Sequence, residues 1–382
     1  MPDEGLQGHT SWIGVHRVLC VRLDTLGDVI MTTPAIRALK QSSPGRHITL
    51  MTSSAGAAAG RLASDVDEVL IYDAPWMKGT DEALSAAPDR RMVHYLRNGA
   101  FDAAVIFTVY SQSALPAAML CYWADIPRRL AHCRENPYRL LTHWVRETEP
   151  ETSLRHEVRR QLDLVESVGA RTDDERLSLA IPDRADAAVE DLLAGMMQPR
   201  RPWAVIHPGA TAASRRYPPE GFARVARRLV RELGCDVVFT GTEPERELVE
   251  QIRTDMGAPS HSLVGVLDLP ELAAVLARAS VLISNNTGSV HVSAAVGTPV
   301  VDLYALTNPQ HTPWQVPHRV LFHDVPCKYC YKSVCPEGHH HCLRLVEPDR
   351  VVNAAAELLH VVPASTRAGM QTEGLSLVHP RN

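Results

Sequence analysis

The 382-residue chain is 45% hydrophobic and 22% charged, a balance that excludes a disordered, collagen-like or coiled-coil protein. Its formal charge of −5 argues against a protein that wraps nucleic acid through phosphate contacts. Eight cysteines in a chain this long are too few for a secreted disulfide scaffold, and at roughly 150 residues per domain the length predicts two to three domains.

Residues 1–14 read as a loose tail. Met1–Ile13 has no Lys or Arg and no long apolar run, so it does not read as a secretory signal, and a cytoplasmic protein with reduced cysteines is expected. Arg17–Val21 reads as a buried strand, Arg22–Asp28 as a turn, and Asp28–Gln41 as a helix ended by Pro44-Gly45. Strands are predicted at His47–Thr52, Glu68–Tyr72 and Phe101–Thr108, with helical patterns between them, among them Asp89–Asn98. Ala103–Ala124 runs for 22 residues without a charge, long enough to span a bilayer. Its middle holds Thr108, Tyr110, Ser111, Gln112, Ser113 and Pro116, so it reads instead as a buried strand followed by a helix, with no transmembrane segment. Arg155–Val168 is a strongly amphipathic helix, and Pro182–Met197 reads as a helix.

After a linker at Gln198–Pro202 the pattern restarts, with strands at Ala204–His207, Asp236–Thr240, Val281–Ser284 and Thr298–Tyr304. Helices are predicted at Glu220–Leu233, Glu243–Met256, Leu269–Arg278 and Ser289–Val296, and a last one at Asp349–Leu359. Alternating strands and helices mean parallel α/β sheets. The domain expectation is therefore an N-terminal Rossmann-like domain at 15–197, a second at 203–345, a C-terminal helix within 346–362 and a disordered tail at 363–382. Two doubly wound domains place a ligand cleft between their strand C-terminal ends.

There is no G-x-G-x-x-G after the first strand, no P-loop and no G-x-S-x-G elbow. Asp65-Val66-Asp67, the only D-x-D, reads as a solvated strand entry rather than a cation site. Three loops carry chemistry. In Leu23–Thr33 (LDTLGDVIMTT) Gly27 makes the turn, and Asp28 is either a helix cap or a base facing the cleft. The loop after Ala204–His207 brings Gly209, Thr211, Arg215 and Arg216 to a strand end, a set suited to a diphosphate or to a solvated basic loop. In Ser284–His291 the backbone of Thr287 and Gly288 opens a helix, with His291 one turn in; an anion site and an ordinary cap both fit.

Together these segments resemble glycosyltransferase family 9, the ADP-heptose:lipopolysaccharide heptosyltransferases. The resemblance runs from Arg17 to Leu359 and rests on RLDTLGDVIMTTPAIRALK, FDAAVIF with SALPAAMLCYWADIPRR, HPGATAASRRYPPEGFARVARRL and SNNTGSVHVSAAVGTPVVDLY. It implies a GT-B fold of two Rossmann-like domains and inverting, metal-independent transfer of heptose or a related sugar from a nucleotide sugar. ADP-heptose is the implied donor and a lipopolysaccharide-core or related surface glycan the implied acceptor. No cofactor is implied. By this resemblance Asp28 is the base. Thr211, Arg215 (where the family usually has Lys), Arg216, Glu243, Asn286 (where it has Asp), Thr287, Gly288 and His291 hold the donor. Thr25, Gly27 and Arg61 are secondary acceptor candidates. The Arg215 and Asn286 departures keep open another nucleotide sugar with a soluble or secondary-metabolite acceptor. A non-catalytic sugar-nucleotide-binding protein is a further alternative.

Cys327, Cys330, Cys335 and Cys342, beside His339–His341, have zinc-like spacing, but reduced thiols are the main expectation, with disulfides a third reading. Arg128, Arg129, Arg134, Arg139, Arg155, Arg159 and Arg160 interleave with Glu135, Glu147, Glu149, Glu151 and Glu157. Most of these read as a solvated face; the remainder would meet acceptor phosphates or an anionic leaflet in a membrane-peripheral enzyme.

Overall fold

The structure is a computed structural model and describes residues 12–77, 85–196 and 201–359. The expected tail at 363–382 and most of the expected linker lie outside the described residues.

Two six-stranded parallel sheets form the frame. The first holds β1 (Arg17–Arg22), β2 (His47–Thr52), β3 (Glu68–Ile71), β4 (Ala103–Ile106), β5 (Arg128–Cys133) and β6 (His143–Arg146), in the order β3-β2-β1-β4-β5-β6. The second holds β7 (Trp203–His207), β8 (Asp236–Phe239), β9 (His261–Ser262), β10 (Val281–Asn285), β11 (Val300–Leu303) and β12 (His318–Leu321). Its order, β12-β11-β10-β7-β8-β9, is the same doubly wound topology. The central strands are apolar on both faces because helices cover both faces. In each sheet the winding reverses between two central neighbours, β1 and β4 in the first, β7 and β10 in the second. The crevice for a ligand opens at their carboxyl ends.

The first sheet carries α1 (Leu26–Gln41), α2 (Ala57–Leu62), α3 (Ala87–Asn98), α4 (Leu115–Trp123) and α5 (Glu157–Glu166); α6 (Asp183–Leu193) follows. The second carries α7 (Pro219–Arg231), α8 (Arg246–Met256), α9 (Leu269–Arg278), α10 (Gly288–Ala295), α11 (His341–Arg344) and α12 (Pro348–Leu359). Helix α1 contains Pro34, which has no N–H for the carbonyl of Ile30; Thr33 Oγ1 donates to that carbonyl at 2.8 Å instead. The uncharged stretch divides into β4 and α4, with the side chains of Ala103–Phe107 buried. No helix among the described residues is long and apolar enough to cross a membrane.

Three features differ from the sequence expectations. Trp12, expected in a loose tail, is buried: Arg46 donates to its carbonyl at 2.9 Å, and its indole meets His143 edge-on. Helix α6, expected with the first domain, packs on α9, and Asp186 pairs with Arg278 at 2.5 Å. Part of the Arg/Glu series is not on a solvated face, although Arg128, Arg134, Arg139, Glu135 and Glu151 are exposed as expected. Glu147, Glu149, Glu157, Arg129 and Arg160 are buried, because each charge is paired or bonded to carbonyls.

That buried series joins the halves. Gln310 donates to Glu149 at 2.6 Å and to the Arg155 carbonyl at 2.9 Å. Its own carbonyl accepts from Glu157 N, while His156 Nε2 bonds the Thr312 carbonyl and Trp314 Nε1 the Glu175 carbonyl. One hydrophobic core runs from Val29 and Ile36 of α1 through Val290 and Val292 of α10 to Val275 of α9.

Candidate active site

The apolar strand β1 ends in Arg22, which is fully buried. Three carboxylates surround its guanidinium: Asp24 at 3.0 Å, Asp28 at 3.1 Å and Glu157 at 2.8 Å. This anchors the first turn of α1 to α5 across the sheet end. Thr25 is the N-cap of α1, and its N–H and hydroxyl donate to Asp28 Oδ2 at 3.2 and 2.9 Å. Asp28 is therefore a capping residue in geometry, yet it remains part-exposed, with 17% of its side chain open, and it lines a cavity of about 760 Å³.

The two aspartates on Arg22 are driven apart. For Asp28, burial raises the carboxyl, but the Arg22 charge, His311 and the Thr25 bonds outweigh it and hold it below the usual range. For Asp24, burial dominates and pushes the carboxyl up to about 6; Arg22 opposes and the Asp28 charge adds to the rise. Asp28 is thus the carboxylate ionised throughout neutral pH.

Across the crevice the first turn of α10 abuts that of α1. A Cβ on Gly27 would sit 2.8 Å from His291 Cδ2, and one on Gly288 would sit 3.0 Å from Leu26 Cδ2. Only glycine admits this approach without displacement. His291 is buried and pulled down to about 3 by that burial, with His311 adding to the effect, so its ring is neutral. Its Nδ1 has no hydrogen-bond partner among the described residues. His311 is held below its normal range by burial, against the opposing charges of Asp28 and Glu157.

Arg215 ends the tight turn Ala213–Arg215, where its N–H donates to the Ala212 carbonyl at 2.9 Å, and its side chain makes no hydrogen bond or ion pair among the described residues. Its charge bears on His291, His311 and Asp302. The turn is braced from outside by the cysteine-bearing loop, where Ser214 donates through N to the Ser333 carbonyl at 3.0 Å and through Oγ to the Lys332 carbonyl at 2.7 Å. Buried Asn285 ties the two donor-side loops together, accepting from Tyr217 N at 2.9 Å and donating to the Pro208 carbonyl at 2.7 Å. Asn286 donates to Asp302 and to the His311 carbonyl, both at 2.9 Å, and so holds the 308–312 loop. Burial pushes the Asp302 carboxyl well above its usual range.

The structure brings Asp28, Gly27, His291, Gly288, Thr287 and Arg215 to one crevice. Thr211 and Arg216 lie at its exposed rim, with Arg216 bonded to the Ala210 carbonyl. Glu243 is exposed and paired with Arg246 at 2.5 Å; the carboxylate set against the 207–209 loop is that of Glu245, 1.8 Å from where a Gly209 Cβ would be. Thr25 lines the large cavity and exposed Arg61 does not. The four clustered cysteines are free and, with His339 and His340, surround a cavity of about 20 Å³. Among the described residues no three Cys, His, Asp or Glu side chains are arranged to hold a metal ion. Arg22, Asp24, Glu157 and His311 were not singled out in the sequence, although Arg22-x-Asp24 at the end of an apolar strand is a detectable signal.

A family model described as glycosyltransferase family 9 (heptosyltransferase) matches residues 90–341. The chain belongs to glycosyltransferase family 9. Lipopolysaccharide heptosyltransferase 2 of Salmonella typhimurium is 25% identical over an alignment of 364 residues that covers 90% of this chain and 98% of that protein. The solved family 9 glycosyltransferase of Veillonella parvula superposes with a TM-score of 0.77 at 24% identity, over 90% of this chain and 97% of that one. The Escherichia coli structure of ADP-heptose LPS heptosyltransferase II gives 0.70 at 21%, over 90% and 98%. This family 9 member has the GT-B fold and is a glycosyltransferase of the heptosyltransferase group.

Proposed function

We propose that this enzyme transfers heptose from ADP-heptose to a saccharide of the lipopolysaccharide core, with inversion and without a metal ion, at the cytoplasmic face of a membrane. The observation that carries this reading is the placement of ionised, part-exposed Asp28 on the cavity wall, in the first turn of α1 that abuts the α10 N-terminus. The acceptor hydroxyl, seated in the cavity, attacks the anomeric carbon from the side opposite the diphosphate. Its proton passes to Asp28, and the bond from the anomeric carbon to the phosphate oxygen breaks with its electron pair leaving on ADP. A carboxylate held below its usual range is a weak base, so it takes the proton as the new C–O bond acidifies the hydroxyl. Charge developing on the diphosphate meets Arg215, the backbone N–H groups of Thr287 and Gly288 and the α10 dipole. These groups supply the positive charge that a cation supplies elsewhere. His291, neutral and packed on Gly27, positions the two helix starts.

The test is ADP release from ADP-heptose with a core-oligosaccharide acceptor, beside thermal shifts of the protein with donor. Asp28→Asn should lower kcat by about 10²–10⁴-fold and keep the donor-induced shift. Undiminished turnover in that variant rejects the base. Absence of any shift of the parent protein with ADP-heptose rejects the donor.

A further inference from the structure

Asp302 lies on β11 and is fully buried. Its carboxyl is poorly satisfied. Oδ2 accepts from Asn286 Nδ2 at 2.9 Å, while Oδ1 is buried without a partner among the described residues. Arg215 bears on it through charge alone. Burying a carboxyl with one amide bond destabilises the fold, so the reason for an aspartate here lies in what it does for Asn286.

Asn286 follows β10 and stands directly before Thr287, the N-cap of α10. Its Nδ2 donates to Asp302 Oδ2 and to the His311 carbonyl, both at 2.9 Å. Both partner atoms are oxygens, and the His311 carbonyl can only accept. The amide is therefore held in one orientation, because a flip would set its oxygen against two others. Oδ1 is left as a neutral acceptor with no partner among the described residues. An aspartate at 286 would bring two carboxyls together and face the His311 carbonyl with a third oxygen. The departure from the expected aspartate is thus matched to Asp302.

The loop that Asn286 holds shows which flank of α10 it stands on. Residues 308–312 cross to the first half, where Gln310 donates to Glu149 and the Thr312 carbonyl bonds His156. A sugar whose diphosphate meets the α10 start would face this flank on its way to Asp28.

We propose that Asp302 is a positioning residue for the donor: through Asn286 Nδ2 it fixes the amide so that Oδ1 accepts from a hydroxyl of the transferred sugar. This rests on the proposed reading of the crevice as a nucleotide-sugar site, and it adds the buried residue that orients one sugar contact.

The experiment is isothermal titration of ADP-heptose and of ADP into the parent protein and its variants, with melting temperatures alongside. Asp302→Leu should bind ADP-heptose about tenfold more weakly, the loss of one oriented hydrogen bond, and ADP within about twofold of the parent. It should melt no lower than the parent, because an apolar side chain replaces a poorly satisfied carboxyl. A purely structural role would weaken both ligands alike. Asp302→Asn keeps an acceptor oxygen and should bind ADP-heptose at least about threefold tighter than Asp302→Leu. Asn286→Ala should show the same selective loss, and the double variant of Asn286→Ala with Asp302→Leu no further loss, because both act through one contact. Parent-like affinity of Asp302→Leu or of Asn286→Ala for ADP-heptose overturns the proposal, as do equal losses for ADP and additive losses in the double variant. A parent protein that does not bind ADP-heptose sinks the donor reading and this role with it. A parent that binds beside an indifferent Asp302→Leu sinks the positioning role alone.

Discussion

At the residue scale, Asp24 makes a pH-dependent claim. Its folded-state carboxyl titrates near 6, above the usual aspartate value of 3.8. Between those values the folded chain keeps a proton that the unfolded chain has released. This group therefore makes stability fall as pH rises from about 4 to 6, and the penalty is complete above 6. Asp24→Asn removes the penalty. Relative to the parent, the variant should gain on the order of 2 kcal/mol between pH 4 and pH 7, measured by urea denaturation at both. An unchanged difference between the two proteins across that range refutes the shift. Arg215 carries a second claim. Arg215→Ala should lower kcat/KM by about 10²–10³-fold in the ADP-release assay, and Arg215→Lys should restore part of it, because charge survives and the planar fork does not. Full activity of the alanine variant would remove Arg215 from the diphosphate.

At the scale of elements, the seam between α1 and α10 is sterically tight. Gly27→Ala puts a methyl 2.8 Å from the His291 ring. Overpacking of this kind costs about 1–3 kcal/mol, so the variant should melt lower and turn over more slowly even though Asp28 is untouched. A melting temperature equal to the parent's would show that the ring yields freely. The strands and helices around this seam were legible in the sequence because apolar runs such as Leu19-Cys20-Val21 and Val281-Leu282-Ile283 are bounded by turn residues. Strands β5 and β6 were not. Arg128, Arg129, His143 and Arg146 break the apolar pattern, and only the structure reveals that Arg129 is buried by donating to the carbonyls of Leu140 and Arg139. The same limit hid the Arg22 cluster: Asp28 stood out by its loop, but Glu157 is remote in sequence and looked like one more charge on an amphipathic helix.

At the scale of the molecule, the proposed acceptor site and a proposed membrane contact lie on the first half. Tyr122, Trp123 and Tyr138 are exposed, as are Arg128 and Arg139. Arg129 stacks on Tyr122 at 5.4 Å and bonds the Arg139 carbonyl, which brings the α4 end and the Tyr138-Arg139 turn together. Amphipathic rings and arginines suit an anionic bilayer surface. Sedimentation with anionic vesicles should be weakened by the double change Tyr122→Ser and Trp123→Ser and by raised salt. Binding indifferent to both would place the contact elsewhere.

The apolar seam running from α1 through α10 to α9 also bears on modularity. Because Val29, Ile36, Val275, Val290 and Val292 belong to one core, the halves are not interchangeable parts joined by a tether. A hybrid that grafts another protein's donor half onto this acceptor half would need matching surfaces where Leu26 meets Gly288 and Gly27 meets His291. Recombination along this lineage is therefore constrained by the fit of that seam as much as by the choice of sugar.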